Sequence, residues 1–345
     1  MKVLMVGSAK ESGGGVASVL RTMQKMSVWK ECQCYWLGTQ IQRNYLWKAW
    51  YALRAAFVTP FIIYKYDIVH FHTTPDRTGL TIQLPQMIMA KMLGKKTIVH
   101  IHMGNQLERH TRNTFFRWWL KRADTIVLLA RKWQDMFREL YPDIRTPTVV
   151  VYNACETHGE INLEEKKKVI ILMAYMSEEK GVDIMLKAWE KICRRYPEWH
   201  VYMMGQGKTE HFRRMAEDMG MKESVTFTGY VTGDRRLTML HEASISVMCS
   251  YAEGFPMTVL EAWTYGAAVV TTPVGGLPDV IEDGKNCLVT DFGDADMLAE
   301  KLETMITDEP LRQSIARYAH DNTAEIFSLE NVDRQLKRLY GIAEE

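Results

Sequence analysis

The sequence predicts an α/β protein of two domains, each a parallel sheet covered by helices on both faces. Three observations carry this. The chain has 345 residues, enough for about two domains with a core each. Short β-branched runs alternate with helical patterns along its whole length, as parallel strands joined by helical crossovers require. The alternation stops once, in the charged, non-periodic HGEINLEEKKK at 158–168, which reads as a linker, and restarts with VIILMA at 169–174.

Composition is that of a folded protein, 47% hydrophobic and 25% charged. The net charge of +1 hides an asymmetry, because residues 1–155 hold 22 Lys and Arg against 9 Asp and Glu, and the remainder 21 against 33. The basic N-terminal half wants an anionic surface. Nucleic acid is excluded as that surface, since no basic recognition helix accompanies the charge. The six cysteines, at 32, 34, 155, 193, 249 and 287, lack paired metal-ligand spacing and are expected to be reduced thiols. MKVLMVGSAKESGGG breaks its apolar run too early for a signal peptide, and WYALRAAFVTPFIIYKY at 50–66 is interrupted by Arg54, Pro60 and Lys65, too broken for a membrane span.

In order, KVLMV at 2–6 opens the first strand. It leads through Gly7 to Gly13, Gly14 and Gly15 before a helix near Val16. Amides at such a helix start can cradle phosphate, and the same glycines also fit a plain turn. The spacing is not GxGxxG, which argues against a nicotinamide-dependent oxidoreductase. DIVHFH at 67–72 and KTIVHIHMG at 96–104 are further strands ending in histidine. DTIVLLA at 124–130 and TVVVYN at 148–153 complete the first half. In the second half VYMMGQG at 201–207, SVTFTGYV at 224–231, ISVMCS at 245–250 and AAVVTTP at 267–273 are the expected strands after VIILMA.

The chemistry concentrates in EGFPMTVLEA at 253–262. Pro256 suits the first position of a helix, which puts Glu253 on the entering loop and Glu261 about one and a half turns inside. The two carboxylates then lie roughly 10 Å apart. That is too far to share a proton and about the span of a sugar diphosphate nucleoside. Between them, the amides near Met257 and Thr258 carry the positive end of the helix dipole, a site for a diphosphate. Glu261 is placed to accept ribose hydroxyls, and Glu253 to hold sugar hydroxyls and stabilise positive charge at a breaking glycosidic bond. The spacing alone also fits an acidic amphipathic helix start.

Together, EGFPMTVLEA, TTPVGGLPDVIEDGKNCLV at 271–289 and SEEKG at 177–181 resemble the retaining, nucleotide-sugar-dependent glycosyltransferases of group 1, with GT-B architecture. The resemblance covers most of 148–305 and is looser before it. It implies two Rossmann-like domains facing across a cleft: residues 1–157 binding the acceptor, a linker at 158–168, residues 169–325 binding the nucleotide sugar, and a helix over 326–345 that returns to the first domain. It gives Glu253 and His102 catalytic roles, with His100 as the alternative on the opposite side of its strand. It assigns the donor to Gly14, Gly15, Lys180, Tyr230, Gly254, Phe255, Pro256, Met257, Thr258 and Glu261. Where relatives carry an arginine that clamps the diphosphate, this chain has Tyr175, which cannot neutralise charge. No metal or other cofactor is expected, since no DxD-type motif occurs in a suitable loop.

The expected activity is therefore retaining transfer of a sugar to a hydroxyl of a lipid-linked glycan in cell-surface polysaccharide biosynthesis, by a cytoplasmic protein peripheral on the inner membrane face. A non-catalytic binding subunit of the same fold is the alternative, and Tyr175 is the feature that supports it. For the anionic membrane, RHTRNTFFRWWLKR at 109–122 puts Phe115, Trp118 and Trp119 at helical spacing among Arg112, Arg117, Lys121 and Arg122. NYLWKAWYALR at 44–54 repeats the mixture. Both also fit helices packing aromatics on a sheet, and the charge asymmetry favours the membrane.

Overall fold

The computed structural model describes residues 1–12, 14–41, 44–157 and 159–342. Gly13 of the glycine loop, His158 at the head of the expected linker and the last three residues lie outside them. The chain divides into two compact units, Met1–Ala154 with Ser328–Glu345, and Cys155–Phe327. The charged stretch at 158–168 is not the divide: Leu163 is buried in the second unit's core and Lys167 already opens a strand there.

The first unit runs β1 (Val3–Ser8), α1 (Gly15–Met23), α2 (Ser27–Glu31), β2 (Tyr35–Gln40), α3 (Tyr45–Ile62), β3 (Ile68–Thr73), α4 (Arg77–Ile82), α5 (Leu84–Met92), β4 (Lys96–Ile101), α6 (Thr114–Arg122), β5 (Thr125–Leu128), α7 (Arg131–Leu140) and β6 (Thr148–Val150). The strands form one parallel sheet in the order β2-β1-β3-β4-β5-β6. All six residues of β3 are buried, as helices on both faces require. The strand order reverses between β1 and β3, and the carboxyl ends at such a switch are where ligands sit in open α/β sheets. Sequence periodicity misses β2, whose YWLGTQ mixes a glycine with polar residues. Its Gly38 is needed for close approach, because a Cβ there would lie 2.8 Å from the Ala9 Cα.

The second unit holds β7 (Lys167–Met173), α8 (Val182–Ile192), β8 (His200–Met204), α9 (Thr209–Asp218), β9 (Val225–Gly229), α10 (Gly233–Glu242), β10 (Ala243–Met248), α11 (Met257–Thr264), β11 (Ala268–Thr271), β12 (Leu288–Val289), α12 (Ala295–Thr307) and α13 (Glu309–Tyr318). Its parallel sheet has the order β12-β11-β10-β7-β8-β9, with the switch between β7 and β10. α8 shows why these segments are helices packed on a sheet. Val182, Met185, Leu186 and Trp189, at i, i+3, i+4 and i+7, are all fully buried.

The last helix, α14 (Leu329–Tyr340), belongs to the first unit. Val332, Leu336 and Tyr340 enter the core with Val3, Met5 and Ile98. Asp333, also buried, accepts hydrogen bonds from the Val28 amide and the Ser27 hydroxyl, both at 2.7 Å, and so holds the N-terminal end of α2. The six cysteines are free thiols.

Candidate functional site

In the second unit the loops at the carboxyl ends of β7, β8, β10 and β11 interlock through backbone contacts that only glycine allows. Gly181 ends the SEEKG turn at φ +69°, and a Cβ there would meet the Cys249 carbonyl oxygen at 2.2 Å. Beside it the Tyr251 amide donates to the Glu179 carbonyl at 2.9 Å. Gly275, at φ +65°, lies against the backbone of Glu253 and Gly254, and the Gly276 amide donates to the Gly254 carbonyl at 2.9 Å. The three segments singled out in sequence are thus one structure. SEEKG and VGG brace the EGFP loop from two sides at the switch between β7 and β10.

α11 starts at Met257, with Pro256 as its N-cap rather than its first residue, and no side chain caps it. The first-turn amides of Met257 and Thr258 therefore keep their positive end for a ligand. The helix is anchored by Val259, Leu260, Ala262 and Trp263, and the Trp263 indole donates to the Asn286 carbonyl at 3.0 Å. Phe255 corrects an expectation. Its side chain is buried against Phe327, ring centroids 5.3 Å apart, and anchors the loop, which leaves only its backbone to face a donor.

Glu253 and Glu261 sit on the entering loop and in the second turn, each about one fifth exposed, and each holds a cation. The Lys180 ammonium contacts the Glu253 carboxylate at 2.7 Å and the Ala252 carbonyl at 2.8 Å, so the lysine expected to clamp a diphosphate is tied to the catalytic candidate. Glu261 is paired with Arg236 of α10, which sequence reasoning missed. No local motif marks Arg236; its role arises because α10 and α11 are neighbours. Tyr175 and Tyr230 are largely exposed, and Tyr175 lies against Gly207, where a Cβ would approach its ring at 3.0 Å. Cys155, close to Glu261, has its thiol pushed up to about 12, first by burial and then by that carboxylate.

In the first unit Gly14 is the N-cap of α1 at φ +94°, a conformation that favours glycine. A Cβ on Gly15 would meet nothing within 4 Å, so the start of α1 stays open. His102 follows β4 and is buried. His100 corrects the expected geometry, since a two-residue step in a strand returns to the same face. The two rings stack with centroids 4.5 Å apart. His70 and His72 of β3 join them, His72 being paired in register with His100. The His72 Nδ1 lies 2.9 Å from the His102 Nε2, and the His70 Nδ1 lies 2.8 Å from the Tyr340 hydroxyl. Burial holds all four imidazoles neutral, with His102 lowered to about 3.

The membrane-facing assignment of α6 needs correction. Trp119 is fully buried, its ring edge-on to Phe71 at 5.2 Å, because it shares the inward stripe with Phe116 and Leu120. Phe115 and Trp118 are half-buried and stacked at 6.3 Å, and Arg122 covers Trp118 at 4.2 Å. Arg117 and Lys121 both pair with Asp143, and Arg112 is exposed. The exposed apolar surface is on α3. Leu46, Trp50, Leu53, Phe57 and Phe61 recur at steps of four, three, four and four, each more than half exposed. The inward positions of α3 are small, Ala55 and Thr59.

Two parallel α/β units, one carrying a helix N-terminus flanked by carboxylates and cations at its switch point, define a doubly wound α/β protein. Over residues 155–322 the chain matches the family model for glycosyl transferases group 1. It is 28% identical over 189 residues to the D-inositol 3-phosphate glycosyltransferase of Corynebacterium jeikeium, covering 52% of this chain and 45% of that protein. It is 29% identical over 165 residues to the lipopolysaccharide core biosynthesis glycosyltransferase LpsE of Rhizobium meliloti, covering 48% and 47%. The chain thus spans about half the length of these curated relatives. The crystal structure of Anabaena HepE in complex with UDP shares the GT-B fold over 99% of both chains, with a TM-score of 0.75 and 16% identity.

Proposed function

We propose that the chain transfers a sugar from a nucleotide diphosphate sugar to an acceptor hydroxyl with retention of configuration and without a metal at the diphosphate. The observation that carries this is the uncapped start of α11, between Glu253 with Lys180 on one side and Glu261 with Arg236 on the other. The Met257 and Thr258 amides and Lys180 stabilise the negative charge that grows on the departing diphosphate. Glu261 accepts from ribose hydroxyls beside Arg236, whose guanidinium supplies a charge that Tyr175 lacks. Glu253 is released from Lys180 as the diphosphate arrives, and then holds the sugar and favours the positive charge at its anomeric carbon. Gly14, Gly15 and His102 of the first unit serve the sugar and acceptor side. That HepE was crystallised with UDP supports the choice of donor.

The acceptor is a lipid-linked glycan of cell-surface polysaccharide synthesis, and the first unit docks on the anionic inner face of the membrane. The supporting surface is α3. Its outward stripe puts Trp and Phe rings at headgroup level while Lys48, Arg54 and Lys65 meet anionic lipid. None of the described helices is long and apolar enough to cross a membrane. Relatedness to a lipopolysaccharide core enzyme agrees with this acceptor class.

The competing reading is a non-catalytic binding subunit, favoured by exposed Tyr175 at the arginine position. A Glu253→Gln variant separates the two. Transfer from a nucleotide-sugar panel to extracted lipid acceptors should be present in the wild type and fall at least about a hundredfold in the variant, with nucleotide affinity kept. Near wild-type turnover in Glu253→Gln would remove that residue from the chemistry, and no turnover with any donor would favour the binding subunit.

A further inference from the structure

We infer that the first unit binds a divalent transition-metal ion of the zinc class through His70, His72 and His100. Two strands build the site. His70 and His72, two residues apart, project from one face of β3, and His100 projects beside them from β4, in register with His72. One ring nitrogen from each lies within 4.8 Å of the others, and all three side chains are buried. Zinc held at about 2.0–2.1 Å from each nitrogen needs them about 3.4 Å apart, so the ion draws the three rings together on binding. Three histidines with a fourth position left for water is an established zinc set.

The hydrogen bonding distinguishes this cluster from packed imidazoles. Buried polar atoms are normally satisfied. Here the Nε2 atoms of His70 and His72 and both ring nitrogens of His100 have no partner among the described residues. His70 and His72 each use Nδ1 in a hydrogen bond, to the Tyr340 hydroxyl and to His102. A metal-bound histidine has this pattern, with one nitrogen on the ion and the other N–H donated to an outer partner. The ligand chemistry also fits, because an imidazole must be neutral to bind a metal, and zinc, copper and nickel favour it. No carboxylate is in the set, which disfavours magnesium and calcium.

The ion ties β3 to β4 at the carboxyl edge of the sheet. It also fixes a proton. With the metal on Nε2, His72 carries its hydrogen on Nδ1 and donates it to the His102 Nε2, leaving the proton of His102 on its own Nδ1. The ion is remote in sequence from the α11 loop and takes no part in holding the diphosphate, so the inference stands or falls independently of the proposed transfer.

The test is metal content and spectrum of the full chain, expressed without a histidine tag in medium supplemented with zinc or, separately, cobalt. Elemental analysis should find about one ion per chain after gel filtration, and the cobalt form should show the intense visible bands of four-coordinate nitrogen ligation. His72→Gln and His100→Gln should each lower the content to less than about a tenth of an equivalent, while His110→Gln keeps it. Wild-type protein without bound ion, or without those cobalt bands, overturns the inference even if the variants do not fold. Undiminished binding in a folded His72→Gln, His100→Gln double variant overturns it too.

Discussion

Four buried neutral histidines make the first unit sensitive to mild acid, and the size of the effect follows from their burial. The ordinary histidine value is 6.5, and each of the four is held below it, His102 at about 3. Above pH 6.5 the rings are neutral in both the folded and unfolded chain, and their full stability contribution is present. As the pH falls below 6.5 the unfolded chain takes up protons that the folded chain refuses, so stability is lost until the folded values are reached. One unit below, each ring costs on the order of 1 kcal/mol, and four together several kcal/mol. That is comparable to the whole stability of a marginal domain. The assay is urea unfolding at pH 7.5 and 5.5 with chelator present, with hydrogen exchange on β3 and β4 assigning the loss to the first unit. His100→Gln should reduce the pH dependence by on the order of 1 kcal/mol, one ring's share. A loss below about 1 kcal/mol between the two pH values would mean that the unfolded chain gains no protons over the folded one, and would refute the burial argument.

Two further outcomes are expected. Tyr175→Arg should tighten nucleoside diphosphate binding several-fold by calorimetry, since a guanidinium adds about 1 kcal/mol or more against phosphate; unchanged affinity would mean that Arg236 already fills the role or that position 175 does not face the phosphates. Sedimentation with vesicles should require anionic lipid, weaken with salt and fall when Trp50 and Phe57 become serine, while Trp118→Ser has little effect. Equal binding to neutral vesicles would leave a soluble acceptor as the better reading, and self-association lost in the α3 double variant would mark that face as a contact between copies instead.

The sequence carried the site where the signal was local. A proline between two glutamates at helical distance is enough to place Glu253 on a loop and Glu261 inside α11, and the structure moves the helix start by one residue. Contacts between distant segments were not legible. Arg236 reaches Glu261 because two helices are neighbours, and Gly275 braces the EGFP loop from the next crossover. The histidines of β3 and β4 were visible one strand at a time. Their convergence depends on parallel register, which composition does not encode. The aromatic and basic pattern of α6 misled because periodicity counts residues without saying which face turns inward. Trp119 follows Phe116 and Leu120 into the core, and the outward stripe lies on α3, whose small Ala55 and Thr59 pack against the unit.

On the proposed function, the start of α11 holds a nucleoside diphosphate between Glu253 and Glu261. Backbone NMR of the full chain titrated with UDP, without added metal, tests it most directly. Saturable shifts are expected at the Met257, Thr258 and Gly254 amides, with affinity at least about tenfold weaker in Glu261→Ala, one hydrogen-bonded charge's worth. Saturable binding that leaves those amides unmoved, or that is equally tight in Glu261→Ala, would contradict it.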